Sequence, residues 1–403
     1  MANILYISLT GMTEPLGRSQ VLEYLIDLSK NNDISLISFE RVKDLDNKNE
    51  IEKIIKSNNI KWDYFIYSNR FGIFSSLAQL TKAIIIGIRI IPRKKIEIIH
   101  ARSFIPAVIG LILKKIFGVK LLFDIRGFAI DEKVDSGRLK KDSFLYKILK
   151  RIENYLYRKS DFIVTLTYAS KNIISKNFNI NENLIEVIPT CANKNIFKVL
   201  DEKEKILFKK SLGYTESDKI IIHTGTVSNR YDFDAEVKFF KKLYEVDKSW
   251  HFLIINKGEH KYIKEKLLMY GLPQESFKIK SSNFDDMNKY LSISNMSIFF
   301  IPPTYAKKAM SPTKFAENVA CYLPSITNTG VGDMEYYLTK YNVGFLVDLN
   351  KLTNDLENEV NKIYQQIIDF KIDKKEFDLL FNTHFDKKIA IDKYNKIYER
   401  INK

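Results

Sequence analysis

Cysteine, glycine and proline are scarce in this chain of 403 residues, which has 2, 15 and 9 of them. The two cysteines, Cys191 and Cys321, lie far apart and have no metal-binding spacing, a usage typical of a reducing cytosol. The N-terminal segment lacks the basic region, apolar core and cleavage site of a signal peptide. The longest apolar window, residues 83–91, contains Arg89 and stops at Pro92, well short of the roughly 20 residues that a membrane-spanning helix needs. These absences predict a cytoplasmic protein without a transmembrane segment.

Nucleotide-binding fingerprints and nucleic-acid-binding motifs are missing as well. No G-x-G-x-x-G and no G-K-S/T follows a predicted strand, which disfavours redox enzymes and kinases. The formal charge of +15 indicates an anionic partner, but no helix-turn-helix, zinc or RNA-binding signature accompanies it. An anionic membrane surface is therefore favoured over nucleic acid, with residues 71–95 and Lys114–Lys115 as candidate contacts. The alternative for these segments is a core helix that ends in a solvated basic turn.

Short apolar runs alternate with helix-sized segments along most of the chain. The alternation lapses at residues 189–195 and then restarts, which predicts two similar α/β domains with parallel sheets. We place these domains at residues 1–193 and 194–380, with a C-terminal helix at 381–403 that packs back on the first domain. The predicted strands are residues 4–10, 34–39, 61–67, 96–100, 120–125, 162–166 and 185–188, followed by 220–224, 252–255, 277–279, 296–301, 325–327 and 344–347.

The most informative stretch begins at Ser311, after a buried strand and its loop. Ser311 suits the N-cap of a helix, Pro312 suits the first helical position, and Thr313 offers another backbone N–H. Such a helix N-terminus attracts anions, and Lys314 adds a mobile positive charge. Glu317 is placed to accept hydrogen bonds from a pair of ribose hydroxyls. These residues predict a nucleotide pocket with a diphosphate at its helix end; the alternative is an ordinary capped core helix.

Two loops in the second half of the chain add further cations. Gly225 ends the first strand there and permits close approach of the backbone to a ligand. Arg230 reaches forward from the same loop, before a helix capped near Asp232. Lys257 follows the next strand. Together, Arg230 and Lys257 are predicted to neutralise the charge that builds on a leaving diphosphate.

The loop after the first strand of the chain is a third candidate. Gly17 allows close backbone approach to a donor molecule, and Arg18 supplies charge for an acceptor or sugar. Ser19 is predicted to cap a helix that opens there.

A polar loop also follows the predicted strand at residues 120–125. Asp124 ends this strand and is a candidate contact to an acceptor or sugar. Arg126 is placed to hold a sugar or phosphate oxygen, and Asp131 and Glu132 are placed to orient sugar hydroxyls. The alternative is a solvated acidic loop with an Arg–Asp pair. His100 ends the preceding strand and is a candidate acceptor contact, although a lone histidine there also suits a structural role.

Seven motifs together resemble the family 4 glycosyltransferases. They are P-L-G-R-S-Q at 15–20, H-A-R-S at 100–103, D-I-R-G-F at 124–128, V-I-P-T at 187–190, S-P-T-K at 311–314, E-N-V-A-C-Y-L-P at 317–324 and G-V-G-D at 330–333. The resemblance implies the α/β GT-B fold, in which two Rossmann-like domains with parallel sheets face a central cleft. It also implies an acceptor site mostly in the first domain, a donor nucleotide in the second, and a final helix that crosses back to the first. Such enzymes are retaining and use nucleotide sugars; no metal cofactor is expected.

One position departs from the pattern of this family. Its members commonly carry two glutamates with seven residues between them, and Glu317 matches the second while Ala309 stands at the first. The identity of the donor sugar is therefore left open. The expected activity is a retaining hexosyl transfer to a lipid-linked surface glycan or polysaccharide, with Arg230, Lys257 and Arg126 as catalytic residues, at the inner face of the cytoplasmic membrane. The alternatives are a nucleotide-sugar epimerase of the same architecture and an inactive GT-B-like module that binds glycan or scaffolds a complex.

Overall fold

The computed structural model describes residues 1–67, 73–228 and 230–402, and within 73–77 it describes the backbone only. The strands are β1 (Asn3–Ser8), β2 (Asp33–Glu40), β3 (Lys61–Ile66), β4 (Ile98–Arg102), β5 (Lys120–Asp124), β6 (Phe162–Thr165), β7 (Ile185–Val187), β8 (Lys219–Thr224), β9 (Trp250–Ile255), β10 (Phe277–Lys280), β11 (Met296–Ile298), β12 (Ser325–Asn328) and β13 (Gly344–Val347).

The α-helices of the described residues separate and follow these strands. They are α1 (Pro15–Gly17), α2 (Glu23–Leu28), α3 (Lys48–Ser57), α4 (Ile73–Lys94), α5 (Phe104–Phe117), α6 (Ala129–Asp135), α7 (Phe144–Lys159), α8 (Tyr168–Phe178), α9 (Glu202–Ser211), α10 (Phe233–Val246), α11 (His260–Met269), α12 (Met287–Ile293), α13 (Thr313–Ala320), α14 (Met334–Lys340), α15 (Leu349–Asn354), α16 (Leu356–Asp369), α17 (Lys374–Leu380) and α18 (Lys387–Asn402).

Every strand predicted from the sequence is present, with small shifts at the ends. β11 is the clearest case, because it ends at Ile298 although the apolar run continues to Ile301. The chain beyond β11 still follows the sheet, since the backbone N–H of Phe299 donates to the carbonyl of Ile326 at 3.1 Å. The apolar runs therefore located the strands but extended this one too far.

The chain divides into two compact units, each built on a parallel sheet. The first comprises Met1–Pro189 and the residues from Lys387 onward, and its seven strands run in the order β3-β2-β1-β4-β5-β6-β7. The second comprises Thr190–Asp386, and its six strands run in the order β10-β9-β8-β11-β12-β13. The predicted pair of Rossmann-like α/β domains is confirmed.

The sequence placed the domain boundaries at residues 193 and 380, whereas the chain divides after Pro189 and after Asp386. Residues just after Pro189 are bonded within the second unit. The Thr190 hydroxyl donates to the Ser311 carbonyl at 2.9 Å, and Ala192 forms a parallel bridge with Asp386. These bonds assign residues 190–193 and 381–386 to the second unit.

The last helix, α18, belongs to the first unit and packs on the carboxyl ends of its strands. The Tyr398 hydroxyl lies 2.7 Å from Nδ1 of His100 in β4. The Tyr394 hydroxyl donates to Asp124 at the end of β5, at 3.2 Å. The two tyrosines thus join the end of the chain to strands that precede it by more than 250 residues.

In each sheet the strand order reverses beside one strand, β1 in the first unit and β8 in the second. The loops that follow neighbouring parallel strands meet at the same edge of the sheet, and ligands of open α/β sheets bind at such reversal points. In the second unit the loops concerned follow β8, β9 and β11. The candidate donor residues of the second unit lie in these loops or in α13, the helix that follows the loop after β11, whereas Gly17 lies in the first unit.

The helical stretch after β1 begins at Pro15, so the predicted start and cap at Ser19 are wrong. The Ser19 hydroxyl lies inside this stretch and bonds back to the Leu16 carbonyl, at 3.5 Å. The loop before the helix is held by a fully buried carboxylate, Glu40, which accepts from the backbone N–H groups of Met12 and Thr13 at 2.9 and 3.0 Å.

Gly17 is required by packing within the first unit. A Cβ atom at Gly17 would lie 1.7 Å from the carbonyl oxygen of Gly11, which is backbone and has little room to move. We expect Gly17→Ala to lower the free energy of unfolding by about 1–3 kcal/mol, because the new methyl group overpacks this contact. Denaturant unfolding measures the effect. The neighbouring exposed side chain of Leu16 gives the control, since Leu16→Ala should change stability by less than about 0.5 kcal/mol.

Candidate functional site

The helix α13 begins one residue later than predicted. Its N-cap is Pro312, with φ −65° and ψ 119°, and no side chain in the described part of the chain caps its free N–H groups. The predicted N-cap, Ser311, instead uses its hydroxyl on Thr190, accepting from the Thr190 N–H at 3.2 Å and lying 2.9 Å from its hydroxyl. The assignment of Ser311 as cap and Pro312 as first helical residue is therefore wrong. The uncapped N–H groups, beginning with Thr313, are left for another acceptor.

Lys314, in the first turn of α13, is buried rather than mobile. Only 6% of its surface is exposed, and its ammonium nitrogen lies 3.8 Å from the ring centroid of Tyr231 and 5.6 Å from that of Phe299. Among the described residues this nitrogen has no hydrogen-bond partner. Burial lowers the pKa of Lys314 to about 8, although Glu236 and Glu317 attract its charge. A cation held in this way, with unused N–H donors at a helix N-terminus, suits an anionic ligand.

Glu317 lies one helical turn beyond Lys314 and is half-buried. Residues three apart on a helix share a face, so the two side chains have access to the same space. Burial raises the pKa of Glu317 to about 7, although the charge of Lys314 opposes this. The carboxylate is therefore close to its titration point at neutral pH.

The loop after β8 approaches this helix through Tyr231. Gly225 opens the loop with a φ of 93°, a left-handed conformation that favours glycine. The side chain of Arg230 is exposed, and its backbone N–H donates to the Ser228 carbonyl at 2.7 Å. Asp232 caps α10 by accepting from the Ala235 N–H at 3.1 Å, so the predicted helix cap is confirmed.

A fully buried carboxylate, Glu236, joins the loops after β8 and β11. It lies 2.7 Å from Nδ1 of His223 and accepts from the backbone N–H of Phe300 at 3.0 Å. The other ring nitrogen of His223 lies 3.1 Å from the carbonyl of Thr226. The loops after β8 and β11 are therefore joined through the buried carboxylate of Glu236, by charge-assisted hydrogen bonds.

The turn after β9 is fixed to the same loop by Glu259. Its carboxylate accepts from Thr226, from the N–H of Val227 and from the Asn256 side chain, at 2.8, 3.0 and 2.8 Å. Burial opposes the charge, but a hydrogen bond from Ser228 together with these three outweighs it and lowers the pKa of Glu259 to about 2. The adjacent Lys257 is exposed. It borders a cavity of about 400 Å³ that is also lined by Phe208, Ser281, Ser282, Asn283, Asp286, Lys289 and Tyr290.

No group of three or more His, Cys, Asp or Glu side chains in the described ranges is placed to hold a metal ion. Both aspartates of the triplet Asp232–Phe233–Asp234 accept hydrogen bonds from other residues of the second unit. Asp232 caps α10, and Asp234 accepts from Lys266 and Tyr270 at 2.7 and 2.9 Å.

In the first unit, three of the predicted residues form one buried cluster. Asp124 lies 3.5 Å from both His100 and Arg126. Burial opposes its charge, but Arg126 and His100 lower the pKa of Asp124 to about 2. Burial also opposes the charge of Arg126, yet Asp124 raises the pKa of this guanidinium. Burial lowers the pKa of His100, which lies between Asp124 and Tyr398, and this favours the structural role for the histidine.

The other predicted residues of the first unit have separate partners. Asp131 accepts from Lys150 at 2.9 Å and from Tyr146 at 3.1 Å, so it takes no part in the cluster around Asp124. Glu132 lies over Gly127, where a Cβ atom would be 2.5 Å from its carboxylate oxygen. Arg18 forms an ion pair of 3.4 Å with Glu50. Asp131 and Glu132 thus lie in the first turn of α6 rather than in the predicted loop, and they are paired or packed rather than free in solvent.

Comparison with known protein families covers both units. The model described as Glycosyltransferase Family 4 matches residues 34–195, and the one described as Glycosyl transferases group 1 matches residues 204–369. The chain is a family 4 glycosyltransferase. The resemblance inferred from the sequence motifs is confirmed, and the fold of the two units is GT-B.

Individual relatives of this glycosyltransferase are distant in sequence. An uncharacterized glycosyltransferase of Methanocaldococcus jannaschii is 22% identical over 317 residues, which cover 75% of this chain and 74% of the relative. The structure of HepE from Anabaena in complex with UDP and glucose superposes with a TM-score of 0.71 at 15% identity, covering 99% of this chain and 100% of HepE. A glycosyltransferase of Rickettsia africae gives 0.70 at 18% identity, with 100% and 99% covered.

The position at which this glycosyltransferase departs from its family lies in a short helical turn, Ala306–Ala309, before α13. Ala309 is buried, and so is the side chain of Lys307. The carbonyl of Lys307 accepts from the N–H of Gly332 at 2.9 Å, which joins this turn to the loop after β12. A lysine therefore occupies the buried position two residues before Ala309.

Sequence reasoning missed Tyr231, Glu236 and Glu259 as parts of the candidate site. Glu236 and Glu259 fix predicted loops, and Tyr231 covers the predicted cation Lys314. Each of the three has a partner that is far away in the sequence. A glutamate in the first turn of α10, after a strand that contains His223, was the one available signal for Glu236. That signal is weak, because acidic residues are common in the first turn of any helix.

Proposed function

We propose that this glycosyltransferase moves a hexose-type sugar from a nucleoside diphosphate to a lipid-linked surface glycan or polysaccharide, with retention of anomeric configuration. The observation that carries the proposal is the buried ammonium of Lys314, which has no hydrogen-bond partner among the described residues, at the start of α13 with Glu317 one turn further. An anionic group at the helix N-terminus would satisfy the ammonium and the free N–H groups together. HepE, which shares the fold, is described in complexes with UDP and glucose and with UDP-glucose.

The donor is oriented by two contacts on α13 in this proposal. The diphosphate accepts hydrogen bonds from the backbone at Thr313 and from Lys314, and the charged carboxylate of Glu317 accepts from the ribose hydroxyls. Gly225 allows the backbone of the β8 loop to approach the diphosphate closely. A donor role for Gly17, in the first unit, is part of the proposal as well.

The proposed reaction is driven by electrostatics. Cleavage of the sugar–phosphate bond leaves negative charge on the diphosphate and positive charge on the anomeric carbon. Lys314, Arg230 and Lys257 stabilise the first of these charges as it develops. The acceptor hydroxyl attacks the anomeric carbon on the face from which the diphosphate leaves, and a departing phosphate oxygen takes its proton. This route needs neither a protein nucleophile nor a metal ion.

The acceptor is assigned to the first unit. Arg126 has a paired but partly accessible guanidinium next to Asp124, and we propose that it contacts an acceptor oxygen. The other candidate contacts to acceptor or sugar in this proposal are Arg18, His100, Asp124, Asp131 and Glu132. The overall charge of +15 supports peripheral attachment at the inner face of the cytoplasmic membrane. Within the described ranges, no helix combines the length and the apolar character that crossing a bilayer requires.

Incubation with a panel of nucleotide sugars, with and without a lipid-linked glycan fraction, tests the proposed function. We expect one donor to be hydrolysed slowly alone and transferred faster with acceptor. A changed sugar product without acceptor would indicate the epimerase alternative. An inactive scaffold would show no rise in melting temperature with any nucleoside diphosphate, because only a ligand that binds the native state stabilises it.

The exposed cations give a prediction about turnover. We expect Arg230→Ala and Lys257→Ala each to lower kcat about tenfold, because each removes roughly 1.4 kcal/mol of stabilisation from a developing charge. Nucleotide affinity should change less than kcat, because the side chains of Arg230 and Lys257 are exposed and not buried against α13 as Lys314 is. Steady-state transfer kinetics and nucleotide titration separate the two effects. Lys261→Ala, which removes an exposed cation from α11, is the control, and unchanged kcat in both test variants would contradict these roles.

A further inference from the structure

Helix α7 presents apolar side chains to solvent from a well-anchored position in the first unit. Phe144 is 80% exposed and Leu145 is 54% exposed, at the first two positions of the helix. Ile152 and Tyr155 continue the exposed side at helical spacing, while the opposite side is buried. Single exposed apolar residues are common on proteins, but a stripe of this length on one helix indicates an interaction surface.

The same helix and the segment before it carry an excess of positive charge. Between residues 138 and 151 the exposed charged side chains comprise five cations and one carboxylate, Asp142. None of the five cations forms an ion pair with a residue that the structure describes. The cations are Arg138, Lys140, Lys141, Lys147 and Arg151.

The charge continues along the exposed stripe. The ammonium groups of Lys115 on α5 and Lys159 lie 5.0 and 5.9 Å from the ring centroid of Tyr155. Lys114, a predicted membrane contact, is instead bound to Asp161 and to the Lys159 carbonyl. The other predicted segment, residues 71–95, lies partly outside the described residues.

The start of α7 is held firmly in this position. The Ser143 hydroxyl caps the helix by accepting from the Tyr146 N–H at 3.2 Å. Lys150 bonds to Asp131 on α6 and to Glu153, and the ring of Tyr157 stacks on Phe123 of the sheet at 5.8 Å. Phe144 and Leu145 are therefore presented by a fixed helix end, whose dipole adds to the positive potential.

We propose that this α7 face, defined by Phe144, Leu145, Ile152, Tyr155 and the five cations, lies on an anionic lipid bilayer. The apolar side chains enter the boundary between headgroups and acyl chains, and the cations lie against lipid phosphates. A protein partner fits less well, because protein interfaces are depleted in lysine, and three of the five cations are lysines. The proposal rests on the proposed function in one respect, because a lipid-linked acceptor would be located in a bilayer.

Co-sedimentation of the full chain with vesicles tests the proposal. The vesicles are phosphatidylcholine with and without phosphatidylglycerol, at low and high salt. We expect binding to require phosphatidylglycerol and to weaken with salt. Lys140→Gln, Lys141→Gln and Lys147→Gln should each weaken binding about fivefold. The double variant Phe144→Ser, Leu145→Ser should weaken it further at every salt concentration.

Helix α11 in the second unit offers matched controls, because it also carries exposed apolar and basic residues. Leu268→Ser with Met269→Ser, and Lys261→Gln with Lys264→Gln, should bind vesicles as the wild type does. Equal losses in test and control variants would overturn the proposal, as would wild-type protein that ignores phosphatidylglycerol. If Phe144→Ser, Leu145→Ser changes the sedimentation velocity of the lipid-free protein, the α7 face is a contact between copies and the proposal fails.

The melting temperature with a panel of nucleoside diphosphates that includes UDP, measured without vesicles, separates this proposal from the proposed function. All α7 variants should respond to the panel as the wild type does. Vesicle binding without any nucleotide response would support the α7 face and contradict the proposed glycosyl-transfer site. A nucleotide response without vesicle binding would support the glycosyl-transfer site and contradict the α7 face.

Discussion

Replacing Lys314 by methionine is expected to stabilise the free protein and to lower sugar transfer about a hundredfold to a thousandfold. The loss of activity follows from removing a preorganised cation from the developing diphosphate charge. The gain in stability follows from burial, which lowers the pKa of Lys314 from its usual 10.5 to about 8. That difference corresponds to about 3 kcal/mol, which methionine would recover in part at pH 7.

The pH dependence of unfolding checks the origin of this gain. Below pH 8 Lys314 is charged in both the folded and the unfolded protein, and the full penalty of burying the charge applies. Between about pH 8 and 10.5 the folded protein binds fewer protons, so its stability should rise with pH. The Lys314→Met variant should lack this rise. Lys308→Met, at an exposed position nearby, is the control, and a variant of Lys314 that unfolds more easily yet transfers normally would refute both assignments.

The second large effect is expected at Glu317. We expect Glu317→Gln to weaken binding of nucleoside diphosphates about tenfold to a hundredfold, because two hydroxyls lose a charged acceptor. Since the pKa of Glu317 is about 7, wild-type affinity should rise as the pH increases through 7. The glutamine variant should show no such rise. Calorimetric titration between pH 6 and pH 8 measures both, with Glu335→Gln as an exposed acidic control.

The stability of the free protein should respond to Glu317 in the opposite direction. Its raised pKa means that the folded protein holds a proton between about pH 4.5 and pH 7 that the unfolded chain releases. This contribution to stability is complete below pH 4.5 and is lost as the pH rises to 7. Bound nucleotide should remove the dependence. A Glu317 that stabilises the free protein on ionisation would contradict the burial argument.

The fold could be predicted from the sequence because parallel strands are covered on both faces. Such strands read as short apolar runs, and helix-sized segments between them leave few alternatives. The ends of strands were less predictable, as β11 shows. Its apolar run marks burial, and burial continues to Ile301 beyond the last residue that belongs to the strand.

The site could be predicted only where its chemistry is local. Ser311, Pro312 and Lys314 were correctly associated with one helix start, but the predicted cap failed because the Ser311 hydroxyl bonds to Thr190, which lies 121 residues away. Lys314 was expected to be mobile, since nothing near it in the sequence shows that Tyr231 covers it. Partners of this kind are set by the folded sheet, and a single sequence does not contain them.

The pair of His223 and Glu236 has a consequence for how this enzyme can drift in evolution. Either residue changed alone leaves the other buried without its hydrogen bond, at a cost of about 1–3 kcal/mol. Two apolar replacements made together would remove this pair, but the backbone N–H of Phe300, which donates to Glu236, would lose its acceptor. The two positions are therefore coupled, and the cost of changing both together should be smaller than the sum of the two single costs.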